Sequence, residues 1–303
     1  MNSKVKVISF PQISKIVSAV NWVNKNRVSK LDQRKYPIRV IEIDLAKMKK
    51  IKPYHISPLA CLIHEYKEKG YKIKLKNVSP RLELYLSSFN FKAFCEGSNE
   101  VNNFPKPINI TTLPLWRIEE EAATLYHKQV QSYFENNLID DKELSSLCNS
   151  LGELMNNVFD HSESKIPGFT FTQLDTVKKE IITSVCDFGV GIPRKVNRYL
   201  KKINEESLSD TKAIERALVN KFTTKSTPRN RGFGLYNTLT GIKEYEGKML
   251  IISGKAFFWQ LADGSHIYRD LDEYFQGTLI VIYLSIDKLP KKEIEFNDEM
   301  HAI

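Results

Sequence analysis

Residues 147–161 constrain the fold of this chain more than any other segment. Leu147, Leu151, Leu154 and Val158 recur at i, i+4, i+7 and i+11, the period of an amphipathic helix. On the same helix Glu153, Asn157 and His161 recur at i, i+4 and i+8, and stack in a row about 100° from the apolar stripe. Such a helix lies on a core along one side and holds polar groups at the border between core and solvent. The row is either an ordinary solvated face or a rigid face turned toward a ligand. The rest of the chain has to decide.

The elements around that helix indicate an α/β protein. From the N-terminus the sequence alternates strand KVKVISF, helix QISKIVSAVNWVNKN, strand PIRVIEIDL, helix SPLACLIHEYKEKG, strand YKIKLKN and helix SPRLELYLSSFNF. Strands alternating with helices argue for a sheet covered by helices. A stretch rich in Asn, Gly, Ser and Pro follows, with Pro105, Pro107 and Pro114 opposing regular structure. It divides a domain at 1–97 from a second at 116–290, with a linker at 98–115 and a tail at 291–303. The second domain is expected to open with a helix over 117–138 and to continue into the helix at 147–161. Strands GFTFTQLD and EIITSVCDFG follow, then helices over 192–220, a polar loop at 221–231 and a helix at 233–245. Strands KMLIISG, AFFWQLADG and GTLIVIYLSI close it. The expected architecture is a sandwich with a mixed sheet and its helices on one face.

Charge is unevenly placed. Residues 1–100 hold 20 Lys+Arg against 8 Asp+Glu, and the remaining 203 hold 25 against 28, so the net +9 belongs to the N-terminal third. Such a patch attracts nucleic acid or an acidic protein. No helix-turn-helix, zinc-finger or aromatic RNA-binding signature accompanies it. Lys72, Lys74 and Lys76 alternate with Ile73 and Leu75, which puts the lysines on one face of a strand and guards an exposed edge. Nucleic acid is therefore not the expected partner. A protein partner is. No apolar run approaches a membrane span, the longest lying near TLIVIYL, and the start MNSKVKVISFPQ has no apolar leader core. Cys61, Cys95, Cys148 and Cys186 fit no metal or disulfide spacing. The expectation is a cytoplasmic protein without a membrane association.

Three segments carry the chemistry, in fixed order. After the helix comes CDFGVGIP, in which Asp187 ends an apolar strand and Gly189 and Gly191 follow. An Asp so placed can accept a hydrogen bond from the exocyclic amine of a base, and glycines let backbone pass close to a flat ring. Then comes RGFGLYN, where Arg231, Gly232 and Gly234 open a helix whose free N–H groups suit phosphates. Singly each is an ordinary loop, and a protein-kinase reading of the DFG fails for want of the other kinase segments.

Together they resemble the GHKL ATPase superfamily, over roughly residues 116–287. That resemblance implies a Bergerat-type sandwich binding Mg²⁺–ATP. It implies Asn157 as the Mg²⁺-ligating Asn and Glu153 as the residue that orients or activates the attacking group. It implies Asp187 as the adenine-reading Asp and Gly189 and Gly191 as the first glycine box. Gly232 and Gly234 would form the phosphate box, and Thr278, after Gly277, the Thr near the adenine. FTTKSTPRNRGFG would be the lid, with Lys225 and Arg231 meeting phosphates. The N-terminal part is similar to STAS domains: a strand ending in Asp44, a helix ending in Gly70 and an NVSP turn into a last helix. Regulated STAS members carry an Asp-Ser pair before the central helix. Here that region reads IKPYHISPLA, and Ser57 is the nearest hydroxyl.

These resemblances imply a regulatory protein that binds ATP and hydrolyses it slowly as a switch. An anti-sigma-type serine/threonine kinase shares the same site and differs only in the acceptor. An ATP-gated nucleic-acid module is the third reading. A histidine kinase fits less well, because no dimerisation helix with a phosphoacceptor His precedes the site and His127 stands alone.

Overall fold

The fold is described from a computed structural model, over residues 4–31, 38–97, 111–119, 122–137, 141–220, 222 and 234–292. The N-terminal part runs β1 (Lys4–Ser9), α1 (Ile16–Lys25), β2 (Ile38–Asp44), α2 (Pro53–Glu68), β3 (Lys72–Lys76), α3 (Pro80–Ser87) and α4 (Phe91–Glu96). The second part runs β4 (Trp116–Ile118), α5 (Ala122–Asn137), α6 (Ser145–His161), β5 (Gly168–Asp175), β6 (Glu180–Asp187), α7 (Ile192–Lys202), α8 (Asp210–Ala217), α9 (Gly234–Glu244), β7 (Lys248–Gln260) and β8 (His266–Ser285). Strands β1-β2-β3 form a parallel sheet, and β4-β5-β6-β8-β7 form a second sheet in that order.

Several expectations need correction. The second sheet is antiparallel at every pairing, not mixed. Residues 117 and 118, expected to begin a helix, pair with β5 together with Trp116 as a short edge strand. The stretch at 79–91 is two helices, broken where Asn90 takes a left-handed φ of 64°. Three expected closing strands are two long ones, because the charged HIYRDLDEYFQ segment continues β8.

The sandwich also has a cover on its other face. Alternate residues of the second sheet face opposite ways. Ile181, Val185, Met249, Ile251, Ile280 and Ile282 pack against α5, α6 and α9. Ile182, Cys186, Leu250, Ile252, Leu279 and Val281 share one core with Ile41, Ile43, Leu59 and Leu62 from the N-terminal part. A sheet buried on both faces gives near-continuous apolar strands, which accounts for TLIVIYL in an antiparallel setting. Helix α2 is the filling between the sheets. Pro53 occupies its first turn, where the missing N–H leaves nothing unpaired. Its residues 55–63 are buried without interruption, as a helix apolar all round requires. The expected 98–115 linker separates the two sheets along the chain, yet their side chains form one core; of that linker only 111–115 is described.

This layering changes the reading of two residues. Ser57 is fully buried; its hydroxyl donates to Ser184 Oγ on β6 at 2.8 Å, so the folded chain offers a kinase no hydroxyl there. Lys52, one of the 20 Lys+Arg of residues 1–100, pairs with Asp175 on β5 at 3.0 Å. The lysine face holds as expected: β3 is an edge, Lys72, Lys74 and Lys76 are exposed, and Ile73 is buried. Among the described residues no helix is long and apolar enough to cross a membrane.

His55, 2% exposed, accepts the Lys52 backbone N–H through Nδ1 at 2.9 Å, and burial lowers its pKa to about 4. The unfolded chain therefore takes up this proton first. Stability present above about pH 6.5 is lost as pH falls toward 4, by about 2 kcal/mol at pH 5. Urea melts of the parent and His55→Asn at pH 7.5 and 5 check this. Equal losses in both would remove His55 as the cause.

Candidate functional site

The site lies where the end of β6, the end of α6 and the middle of β8 meet. Asp187, the last residue of β6, pairs in register with Thr278 on β8. The two residues, named separately from the sequence, are thus neighbours across the ladder. Asp187 is 3% exposed. Burial raises its pKa to about 7, against the opposing pull of backbone hydrogen bonds from Gly189 and Thr278. The Gly189 N–H donates to Asp187 Oδ1 at 2.7 Å. A carboxylate offers about four acceptor positions, so capacity remains for a further donor. A buried carboxylate with spare acceptor capacity and a raised pKa is the pattern of a binding residue rather than of a surface charge.

The loop after Asp187 is clamped on two sides. The Ser162 carbonyl, just past α6, accepts the Val190 N–H at 2.7 Å. A Cβ on Gly189 would sit 2.0 Å from that same carbonyl oxygen, so only glycine fits. On the other side Gly277, at φ 130°, places its Cα so close that a Cβ would meet the Asp187 carbonyl oxygen at 2.1 Å. Gly191 is the N-cap of α7. Ser253 of β7 ties these pieces together. Its Oγ accepts the Ile192 N–H at 2.9 Å, donates to the Gly277 carbonyl at 2.8 Å and lies 3.2 Å from Thr278 Oγ1. Ser253 was not singled out in the sequence. Its signal was a lone hydroxyl inside the apolar run MLIISG.

Helix α6 brings the polar row alongside. Leu151, Leu154 and Val158 are buried and Glu153 is exposed, as its period requires; the Leu147, Asp160 and His161 side chains lie outside the described residues, as does that of His127. Asn157 is half-buried, five residues or about 7.5 Å along the helix axis from Ser162. Its Nδ2 is buried without a hydrogen-bond partner among the described residues. A buried amide N–H without an acceptor is costly, so the solvated-face reading does not suit Asn157. Glu153 stands one turn, about 6 Å, further back. Gly234 is the first residue of α9, which packs against α6. Lys225, Arg231 and Gly232 lie outside the described residues.

Among the described residues no group of three or more His, Cys, Asp or Glu side chains gathers to hold a metal. A divalent ion at Asn157 would therefore complete its shell with phosphate oxygens and water, the usual habit of Mg²⁺. Compared with models of known protein families and with curated protein sequences, the chain matches none.

Proposed function

We propose that residues 116–287 form a GHKL-type ATP-binding domain of Bergerat arrangement, joined to a STAS-like N-terminal part, and that the protein is an ATP-dependent regulatory switch. The observation that carries this reading is the Asp187–Thr278 pair, with the buried carboxylate bonded by the Gly189 N–H and the Asp187 carbonyl close against Gly277. In this reading Asp187 accepts the adenine amine and Thr278 lies beside it. Gly189 and Gly191 shape the loop under the ring. Asn157 ligates Mg²⁺, which when bound offsets phosphate charge, and Glu153 orients the attacking water. Lys225, Arg231, Gly232 and Gly234 serve the phosphates. A protein partner engages the N-terminal part.

The test uses the whole chain. Mg²⁺–ATP is expected to raise the melting temperature, as any native-state ligand does. Labelled ATP then separates the readings: free phosphate marks a switch ATPase, label on protein marks a kinase. Glu153→Ala is expected to keep the thermal shift while lowering phosphate release on the order of 10²–10⁴-fold. Asn157→Ala is expected to weaken the Mg²⁺-dependent part of binding, since an amide oxygen suits a hard cation. Parent-like turnover in both variants would return the α6 row to solvent.

A further inference from the structure

The loop that carries Asp187 is held from outside its own domain. Arg27 follows α1 and is 9% exposed. Each of its three guanidinium nitrogens has a partner. Nε lies 2.9 Å from both carboxylate oxygens of Glu65 on α2, and Nη2 lies 2.6 Å from Oε1. Nη1 donates to the Gln276 carbonyl on β8 at 3.4 Å. The flat of the group covers the Phe188 ring at 3.7 Å, and Phe275 meets that ring edge-on at 6.1 Å. Phe188 is the residue between Asp187 and Gly189, and Gln276 immediately precedes the Gly277–Thr278 pair.

We infer that Arg27 is a positioning residue: it fixes the Asp187–Gly189 loop by stacking on Phe188 and holding Gln276. The inference rests on the reading of Asp187 as the base-recognising residue, and it adds a connection between that residue and the N-terminal layer. Three features support it. A guanidinium buried merely to balance Glu65 would need no ring; this one uses its edge for the carboxylate and its face for Phe188, a combination that a lysine ammonium cannot supply. The corner around Arg27 is gripped further, since Asn24 Nδ2 donates to the Tyr274 carbonyl at 2.9 Å and Lys25 pairs with Glu273 at 2.7 Å. The Val28 N–H also donates to Glu65 Oε2 at 3.0 Å, so α1, α2 and the β8 segment 273–276 form one unit. Any displacement of α1 against β8 therefore reaches Phe188, and through it the carboxylate beside it, by contacts alone.

The experiment compares the parent with Arg27→Lys and Phe188→Leu in the full chain. Lysine keeps the charge opposite Glu65 and loses the planar stack. Leucine keeps an apolar side chain and loses the ring from the other partner, so the two variants test the same contact from both ends. The first readout is amide hydrogen exchange. Exchange at Gly189, whose N–H is bonded to Asp187, is expected to quicken tenfold or more in both variants, while the amides of β5 stay as in the parent. The second is base preference: the ratio of GTP to ATP dissociation constants is expected to narrow about tenfold. General loosening would quicken β5 exchange as well and leave that ratio unchanged. Parent-like exchange at Gly189, or quickening spread evenly over the sheet, overturns the inference whatever the ligand result. If the parent binds no ATP, the proposed function falls, and the exchange data still decide whether Arg27 holds the loop.

Discussion

Asp187→Asn is expected to abolish the thermal shift given by Mg²⁺–ATP, a loss of affinity beyond about a hundredfold, while the ligand-free protein melts no lower than the parent at pH 8. The two halves of this result have one cause. Burial raises the Asp187 pKa to about 7, far above the 3.8 of an exposed carboxyl. Between those values the folded chain holds a proton that the unfolded chain has released, so stability falls as pH rises through 7. At pH 8 this bounds the gain on removing the charge at about 4 kcal/mol. The amide NH₂ would meet the backbone hydrogen bond from Thr278, which offsets part of it, so a rise of zero to about 5 °C is expected, shrinking toward pH 5. Binding moves the other way, because an amide turned to satisfy Gly189 shows a donor to the ligand amine. A residue kept for packing alone would behave differently, with the variant losing stability and leaving any ligand shift intact. Melts with and without nucleotide at pH 5 and 8 separate the cases. An unchanged ATP shift in Asp187→Asn would take this residue out of the site and the proposed function with it.

Local pattern made much of this legible. Strands β5 and β6, the start of α7 and the limits of α9 follow from period, glycine and proline, because each is decided by its own residues. The polar row on α6 was legible for the same reason. What failed was whatever depends on a distant surface. The second sheet buries both faces because α2 lies on it, and nothing in β6 or β8 says which helix that is. Residues 266–276 carry too many charges to read as a strand, yet the ladder from β7 extends them into β8. In the site, Asp187 at a strand end was visible from the sequence and Thr278 was named only through resemblance to a family, whereas the pairing of the two is seen only in the ladder. The Ser162 carbonyl that excludes a side chain at Gly189 has no sequence signature, since every residue has a carbonyl. The Arg27–Phe188 stack joins positions with neither period nor motif between them.

Ser57→Asp is expected to prevent folding, and this outcome bears on how the two halves of the chain are related. Ser57 lies between the sheets: its hydroxyl donates to Ser184 Oγ, which donates to the Pro53 carbonyl at 2.7 Å. Around it Ile56, Leu59, Ala60 and Cys61 are fully buried, and Cys61 Sγ donates to the Cys186 carbonyl at 3.3 Å. An uncompensated carboxylate here would lose several kcal/mol of hydration with one hydroxyl in exchange. A domain of ordinary stability has about 5–15 kcal/mol in all. Ser57→Ala removes only the donor to Ser184, and about 1 kcal/mol is expected. Soluble yield and urea midpoints of the three proteins give the answer. A soluble Ser57→Asp with a parent-like midpoint would mean that water reaches this interface. The N-terminal layer would then part from the second sheet in solution, and Ser57 would regain the accessibility that a phosphorylated residue needs. A failed Ser57→Asp beside a well-folded Ser57→Ala means instead that the two halves fold as one body. A displacement in the N-terminal part would then reach Asp187 through packed contacts rather than by separation of domains.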